Sequence, residues 1–471
     1  MDSNEKAGKP NSHLSHGGMD LTTGSIPKNL LIFSLPMLAG SVLQTAYSLV
    51  NAFWVGKYLG TNALAAVTVS FPVIFVLIAL GAGLTIATNI LIAQYVGARE
   101  WEKLKDVVQT SIFFVISLSA VFLALGLSLA GTILKMMDTP ADVWPIALSY
   151  IRVYFWTLPF GFGIFLIGAM LRGIGDSRTP LYFQAGSVVL NAILDPLLIF
   201  GVAGFPKLGL NGTAYASIIV QVLAVAGLII YIPYKRPLVS PDHTRLRISR
   251  HTAWLLIRIG FPAMIQQSVV SVSMFFIVRF VSAFGANADA AFGAALRIDQ
   301  VAFMPALTIG MAVSTLSGQN IGAMKLDRVR KVFWWGILES GGISLFISIL
   351  AMSIPQVFLR AFLNDPEVIA IGVGYLRIVG ITYTLYAVMF VSNGVINGSG
   401  HTVPTTIITI LNLWGVRVPL AWLLPQYTHS VRGLWIAMTV SVGAGMLMSL
   451  AYNATGRWKI PVIKNKPGIG K

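Results

Sequence analysis

Apolar residues run through this chain in long blocks separated by short polar breaks. About 20 apolar residues in helical form cross the ~30 Å hydrocarbon core of a bilayer. Twelve blocks meet that length, near 28–56, 63–96, 106–134, 143–171, 178–203, 211–234, 253–284, 290–321, 329–354, 368–397, 403–425 and 431–455. Several exceed the thickness they must cross, so they tilt or protrude. The pattern predicts an all-α polytopic membrane protein with twelve transmembrane helices. Residues 1–25 are polar and rich in Gly, Ser, Asn and Lys. They lack the apolar stretch of a signal peptide and predict a disordered tail. Residues 456–471 predict a second tail.

The blocks repeat. PMLAGSVLQTAYSLVNAFWVGKYLG from Pro36 parallels PAMIQQSVVSVSMFFIVRFVSAFG from Pro262. AQYVGAREWEKLKDV (Ala93 to Val107) parallels SGQNIGAMKLDRVRKV (Ser317 to Val332), and LRGIGDSRTP (Leu171 to Pro180) parallels INGSGHTVP (Ile396 to Pro404). The offset stays near 225, so six spans repeat as six. An even number of spans returns the chain to the same side. The halves are therefore parallel repeats about an axis along the membrane normal, an arrangement that transporters use to hold substrate between two lobes. The organisation expected is a first lobe at 26–234, a linker at 235–252 and a second lobe at 253–455.

Composition agrees. The chain is 56% apolar and 11% charged, with mean hydropathy +0.77; soluble domains carry about 25% charged residues. A net charge of +16 would suit nucleic acid, but the placement of the charges says otherwise. Twenty-two Lys and Arg fall in the termini and the even-numbered loops, against five (Lys57, Lys135, Lys207, Arg360, Arg432) on the other side. That asymmetry follows the positive-inside rule. It puts both termini in the cytoplasm and assigns the basic loops to topology and anionic lipid, with no nucleic-acid partner. The chain has no cysteine, which excludes disulfides and thiolate chemistry. His13 and His16 are spaced like a metal pair but sit in the tail. No Walker motif, catalytic triad or metal-ligand spacing is present, so the expectation is a non-enzyme without cofactor, driven by an ion gradient.

Charge inside a span is costly and marks function. Asp195, in NAILDPLLIF, lies near the middle of span five. Pro196 removes a backbone donor beside it and is expected to disturb the helix, freeing carbonyls near Asn191 and Ala192. Asn191, one turn earlier, shares its face. Together they form an oxygen-rich cluster suited to a proton or Na⁺. Gln44 and Asn51 share a face of span one, and span six offers Thr213, Tyr215 and Ser217. The second half carries Arg279, Arg297, Asp299, Glu339, Arg377 and Arg417 in or near its spans. Arg297 and Asp299 are too close in sequence to share a helix face. The cavity candidates are thus Gln44, Asn51, Tyr215, Arg297 and Asp299.

The segments VNAFWVGKYLGTNALAAVTV, AQYVGAREWEKLK, LRGIGDSRTP, NAILDPLLIF and LNGTAYAS resemble the multidrug and toxic-compound extrusion (MATE) transporters over roughly residues 26–455. The resemblance is nearest to the prokaryotic DNA-damage-inducible branch. It implies two bundles in a V and export of amphipathic organic compounds in exchange for H⁺ or Na⁺. A monomer is expected, and the compact chain without a transit peptide points to the bacterial plasma membrane. The resemblance links Asp195 and Asn191 to cation coupling and matches Ser217 to the hydroxyl of a span-six G-x-A-x-A-[ST] pattern. Where the family usually has aspartate in span one, this chain has Asn51. The alternative is a lipid-linked oligosaccharide flippase of the same superfamily, whose cavity would draw on Arg279, Arg297, Arg377 and Arg417.

Overall fold

The computed structural model describes residues 18–202, 204–241 and 248–463. His13, His16, most of the predicted first tail and the middle of the linker lie outside these. Among the described residues the regular structure is all helix. The spans are α1 (Ile26–Tyr58), α2 (Gly60–Ala98), α3 (Trp101–Met136), α4 (Trp144–Phe155 with Leu158–Gly173), α5 (Arg178–Phe200) and α6 (Leu210–Lys235). The second half has α7 (Arg250–Ser282), α8 (Ala286–Gly322), α9 (Leu326–Ser353), α10 (Pro366–Val379 with Thr382–Gly398), α11 (Thr402–Thr428) and α12 (Arg432–Ala454). Ten of these are single spans; α4 and α10 are bent pairs, by 45° and 42°. In α4 the bend falls just before Pro159, which has no N–H to bond back across it.

The repeat seen in the sequence is also a repeat of packing. Helix α1 lies on α5 and crosses to α8; its counterpart α7 lies on α11 and crosses to α2. The pairs α2–α4 and α8–α10, and α5–α6 and α11–α12, match in the same way. Even the helix ends correspond. Arg99 after α2 and Met324 after α8 both take left-handed backbone, φ 56° and 58°. The next amides, of Glu100 and Lys325, close back on the carbonyls of Tyr95 and Asn320 at 3.0 and 2.8 Å.

The lobes meet at the end that carries the turns after α2, α4, α8 and α10. There Gln94 donates from Nε2 to the Gly398 carbonyl at 2.8 Å, and Gln319 donates to the Gly173 carbonyl at 3.0 Å. A Cβ on Gly97 would stand 1.9 Å from the Gln319 oxygen, and one on Gly322 would stand 2.0 Å from the Gln94 oxygen. Glycine is required at both because the backbones nearly touch. Thr315 adds a bond to Asn89 at 3.1 Å. Towards the opposite end the second lobe has its own core around Ile277, Leu359, Tyr375 and Trp435. The lobe-to-lobe hydrogen bonds of Gln94, Gln319 and Thr315 all lie at that one closed end.

Both predicted tails need correction. Residues 18–25 are placed and packed. Leu21 is buried; its amide bonds the Gln319 side chain at 3.1 Å, and its carbonyl accepts from Asn320 at 3.2 Å. Lys325 and Arg328 donate to carbonyls of Thr22, Thr23 and Gly24. Met19 bonds Gly175 of the first lobe at 3.4 Å. The segment is a strap across the seam, held mostly through its backbone, which is why its composition gave no sign of it. At the other terminus Trp458 and Ile463 are buried, and Val462 packs over Gly400. Where the linker begins, Arg236 donates to Asp176 at 2.6 Å. Asp176 also accepts the Arg178 and Thr179 amides that open α5.

Candidate functional site

Helices α1 and α5 run side by side. Gln184 donates to Gln44 at 3.1 Å, and farther along the rings of Trp54 and Tyr58 pack on Phe200 at 6.0 and 5.3 Å. These contacts fix the register and set Asn51 level with Asn191 and Asp195. Asp195 is 0% exposed, and neither carboxylate oxygen has a hydrogen-bond partner. The amide oxygens of Asn191 and Asn51 are buried and unpartnered too. An ionised carboxylate held away from water without a partner costs far more than a fold tolerates. Four acceptor oxygens without a donor therefore call for a proton or a metal cation.

Pro196 leaves its helix continuous; α5 runs from Arg178 to Phe200, the single span expected there. Its local effect survives, because a proline N cannot donate to the Ala192 carbonyl one turn back. On α6, Ser217 donates to Thr213 one turn away at 3.0 Å. The Tyr47 hydroxyl lies near Ser217, and that of Tyr150 near Thr213. Tyr47 and Tyr150 both lie within electrostatic reach of Asp195, and the Tyr150 and Tyr154 rings pack at 5.9 Å. Sequence reasoning missed these tyrosines. The signal was available, since Tyr47 lies one turn before Asn51 and Tyr150 one turn before Tyr154. Tyr215 does not join the group; it is exposed and two residues out of phase with Thr213 and Ser217.

The second-half candidates part company. Asp299 is buried inside the second lobe, where the hydroxyls of Tyr375 and Tyr383 donate to its two oxygens at 2.5 and 2.6 Å. Arg297 points elsewhere, with its guanidinium 5.7 Å over the Phe362 ring. The two side chains therefore meet different partners and do not pair with each other. Arg417 ends a π-helical turn, Leu411–Arg417, inside α11. It donates to Ser441 at 2.9 Å and to Tyr386 at 2.8 Å. Glu339 in α9 is a second carboxylate with both oxygens buried and unpartnered.

Two parallel six-span lobes, sealed at one end and holding partnerless carboxylates within the spans, define a membrane transporter. The family follows from comparison. Residues 36–197 and 262–423 each match MatE, so the chain belongs to the MatE family, and the two matches are the two repeats. The chain is 34% identical over 91% of its length to the probable multidrug resistance protein YoeA of Bacillus subtilis (strain 168), covering 93% of that protein. To the probable multidrug resistance protein YpnP of the same strain it is 29% identical, over 93% of this chain and 97% of that one. Its fold is similar to a solved outward-facing conformation of a multidrug resistance MATE family transporter of the MOP superfamily. The TM-score is 0.87 at 24% identity, covering 93% of this chain and 97% of that one.

Proposed function

We propose that this protein is a monomeric secondary antiporter that exports amphipathic organic compounds in exchange for H⁺ or Na⁺, with Asp195 as the coupling group. The carrying observation is the buried carboxylate with neither oxygen partnered, beside the free amide oxygens of Asn191 and Asn51. The multidrug relatives support the substrate class. The amide at Asn51 supplies an oxygen where the family usually has a second acid, so one ionisable group serves this site. The asymmetry of basic residues supports cytoplasmic termini. On that reading the closed end faces the cytoplasm and the structure is outward-open. Loading Asp195 with a cation from outside removes its charge and relaxes its demand on the α1–α5–α6 cluster. The drive then comes from different ion affinities in the two states.

The flippase reading has less support. It needs Arg279, Arg297, Arg377 and Arg417 to converge on one cavity, yet Arg417 is engaged inside the second lobe and Arg297 lies over Phe362.

The test is efflux from proteoliposomes under an imposed pH or Na⁺ gradient, wild type against Asp195→Asn. Loss of transport driven by one gradient identifies the ion and the coupling group. A well-folded variant that transports like the wild type refutes the role of Asp195.

A further inference from the structure

Basic residues on the side opposite the termini run against the topological trend, and Lys57, Lys135, Lys207, Arg360 and Arg432 are among them. Two of them, Arg360 and Arg432, line one cleft of about 800 Å³ together with Arg377 from within α10. The cleft lies between the short helix Pro355–Arg360, the first half of α10 and the start of α12, in the second lobe and away from the coupling site. All three arginines are exposed. Among the described residues none of them has a carboxylate partner. The nearest acids in sequence are engaged elsewhere: Asp365 caps α10 by accepting the Glu367 amide, and Glu367 accepts from Asn287. Like charges brought together without a counter-charge repel, so the cleft is built for an anion. Arginine forks match phosphate oxygens two at a time.

The rest of the lining tells what carries that phosphate. Gln356 adds a polar group at the rim, while Ile369 and Val373 give an apolar wall. Arg377 lies eleven residues into α10, roughly 16 Å along the helix axis. It has to snorkel towards the interface to meet the other two. A soluble anion has no use for an apolar wall and a cation set that deep. An anionic phospholipid does, with its phosphate among the guanidiniums and an acyl chain along Ile369 and Val373.

We infer that this cleft binds the phosphate of an anionic phospholipid in the leaflet opposite the termini. The inference does not depend on the coupling site. The full-length protein in detergent is titrated with phosphatidylglycerol, with phosphatidylcholine and with inorganic phosphate, and bound species are counted by native mass spectrometry. Phosphatidylglycerol binds in preference to phosphatidylcholine. Each of Arg360→Gln, Arg377→Gln and Arg432→Gln weakens it about fivefold, and the triple variant weakens it on the order of a hundredfold. Lys135→Gln, a basic residue of the same side outside the cleft, leaves it unchanged. Equal binding of the two lipids, or undiminished binding to the triple variant, overturns the inference. So does inorganic phosphate binding as tightly as the lipid, which would assign the cleft to a soluble anion. Because the three arginines are exposed, the single variants fold and keep the test decisive.

Discussion

Adding one methyl group at the seam should open the closed end. In Gly97→Ala the new Cβ would lie 1.9 Å from the Gln319 carbonyl oxygen, where ordinary contact begins near 3.4 Å. The obstacle is backbone on both sides, so no side chain can swing away. The helices must part by roughly 1.5 Å at that point. Overpacking of a tight contact costs about 1–3 kcal/mol, which shifts a two-state equilibrium about 5- to 150-fold. The gain in helix propensity from Gly to Ala, up to about 1 kcal/mol, is present in both states and leaves the balance unaffected. Gly322→Ala repeats the clash at 2.0 Å from Gln94, and the double variant compounds it. The chain has no cysteine, so cysteines at the equivalent positions Lys105 and Arg330, near the starts of α3 and α9, take spin labels without background. Electron–electron double resonance should show a longer distance component growing from wild type to single to double variant. Gly342→Ala, where nothing lies within 4 Å, should leave the distribution as it is. An unchanged distribution in a well-folded double variant would refute the claim that this close approach sets the closed state.

Two more outcomes are expected. Leu21→Ala removes a buried anchor of the strap and costs the closed end about 2–5 kcal/mol; the same labels should report opening, and no change would show the strap to be passive. Tyr383→Phe takes one of two hydroxyl donors from Asp299 and destabilises the second lobe by about 1–3 kcal/mol, read as a lower melting temperature in detergent. A melting temperature equal to wild type would mean the bond contributes nothing.

Much of this architecture was legible because membrane burial writes long apolar blocks and because the chain contains its fold twice. Span count, pairing of repeats and the burial of a carboxylate inside NAILDPLLIF all follow from local pattern. The strap around Leu21 was illegible, since backbone bonds to Gln319, Asn320 and Arg328 leave no mark on composition. The fate of Asp299 was illegible for another reason. Its partners Tyr375 and Tyr383 are 76 and 84 residues away, and nothing in a span of apolar sequence announces which tyrosine meets which acid.

The seam at the closed end is self-complementary in the manner of a two-fold dimer. Gly97 meets the Gln319 carbonyl as Gly322 meets that of Gln94, and each glutamine reaches a glycine carbonyl of the other lobe. A surface of this kind lets a single six-helix unit recognise its own copy. Joining two copies in one chain keeps that recognition on the axis and releases everything off it from having to match. One copy can then hold an open carboxylate at Asp195 while the other holds the Asp299 and Arg417 networks beside an open carboxylate of its own at Glu339. The duplicated seam is what permits two lobes of common plan to divide their labour.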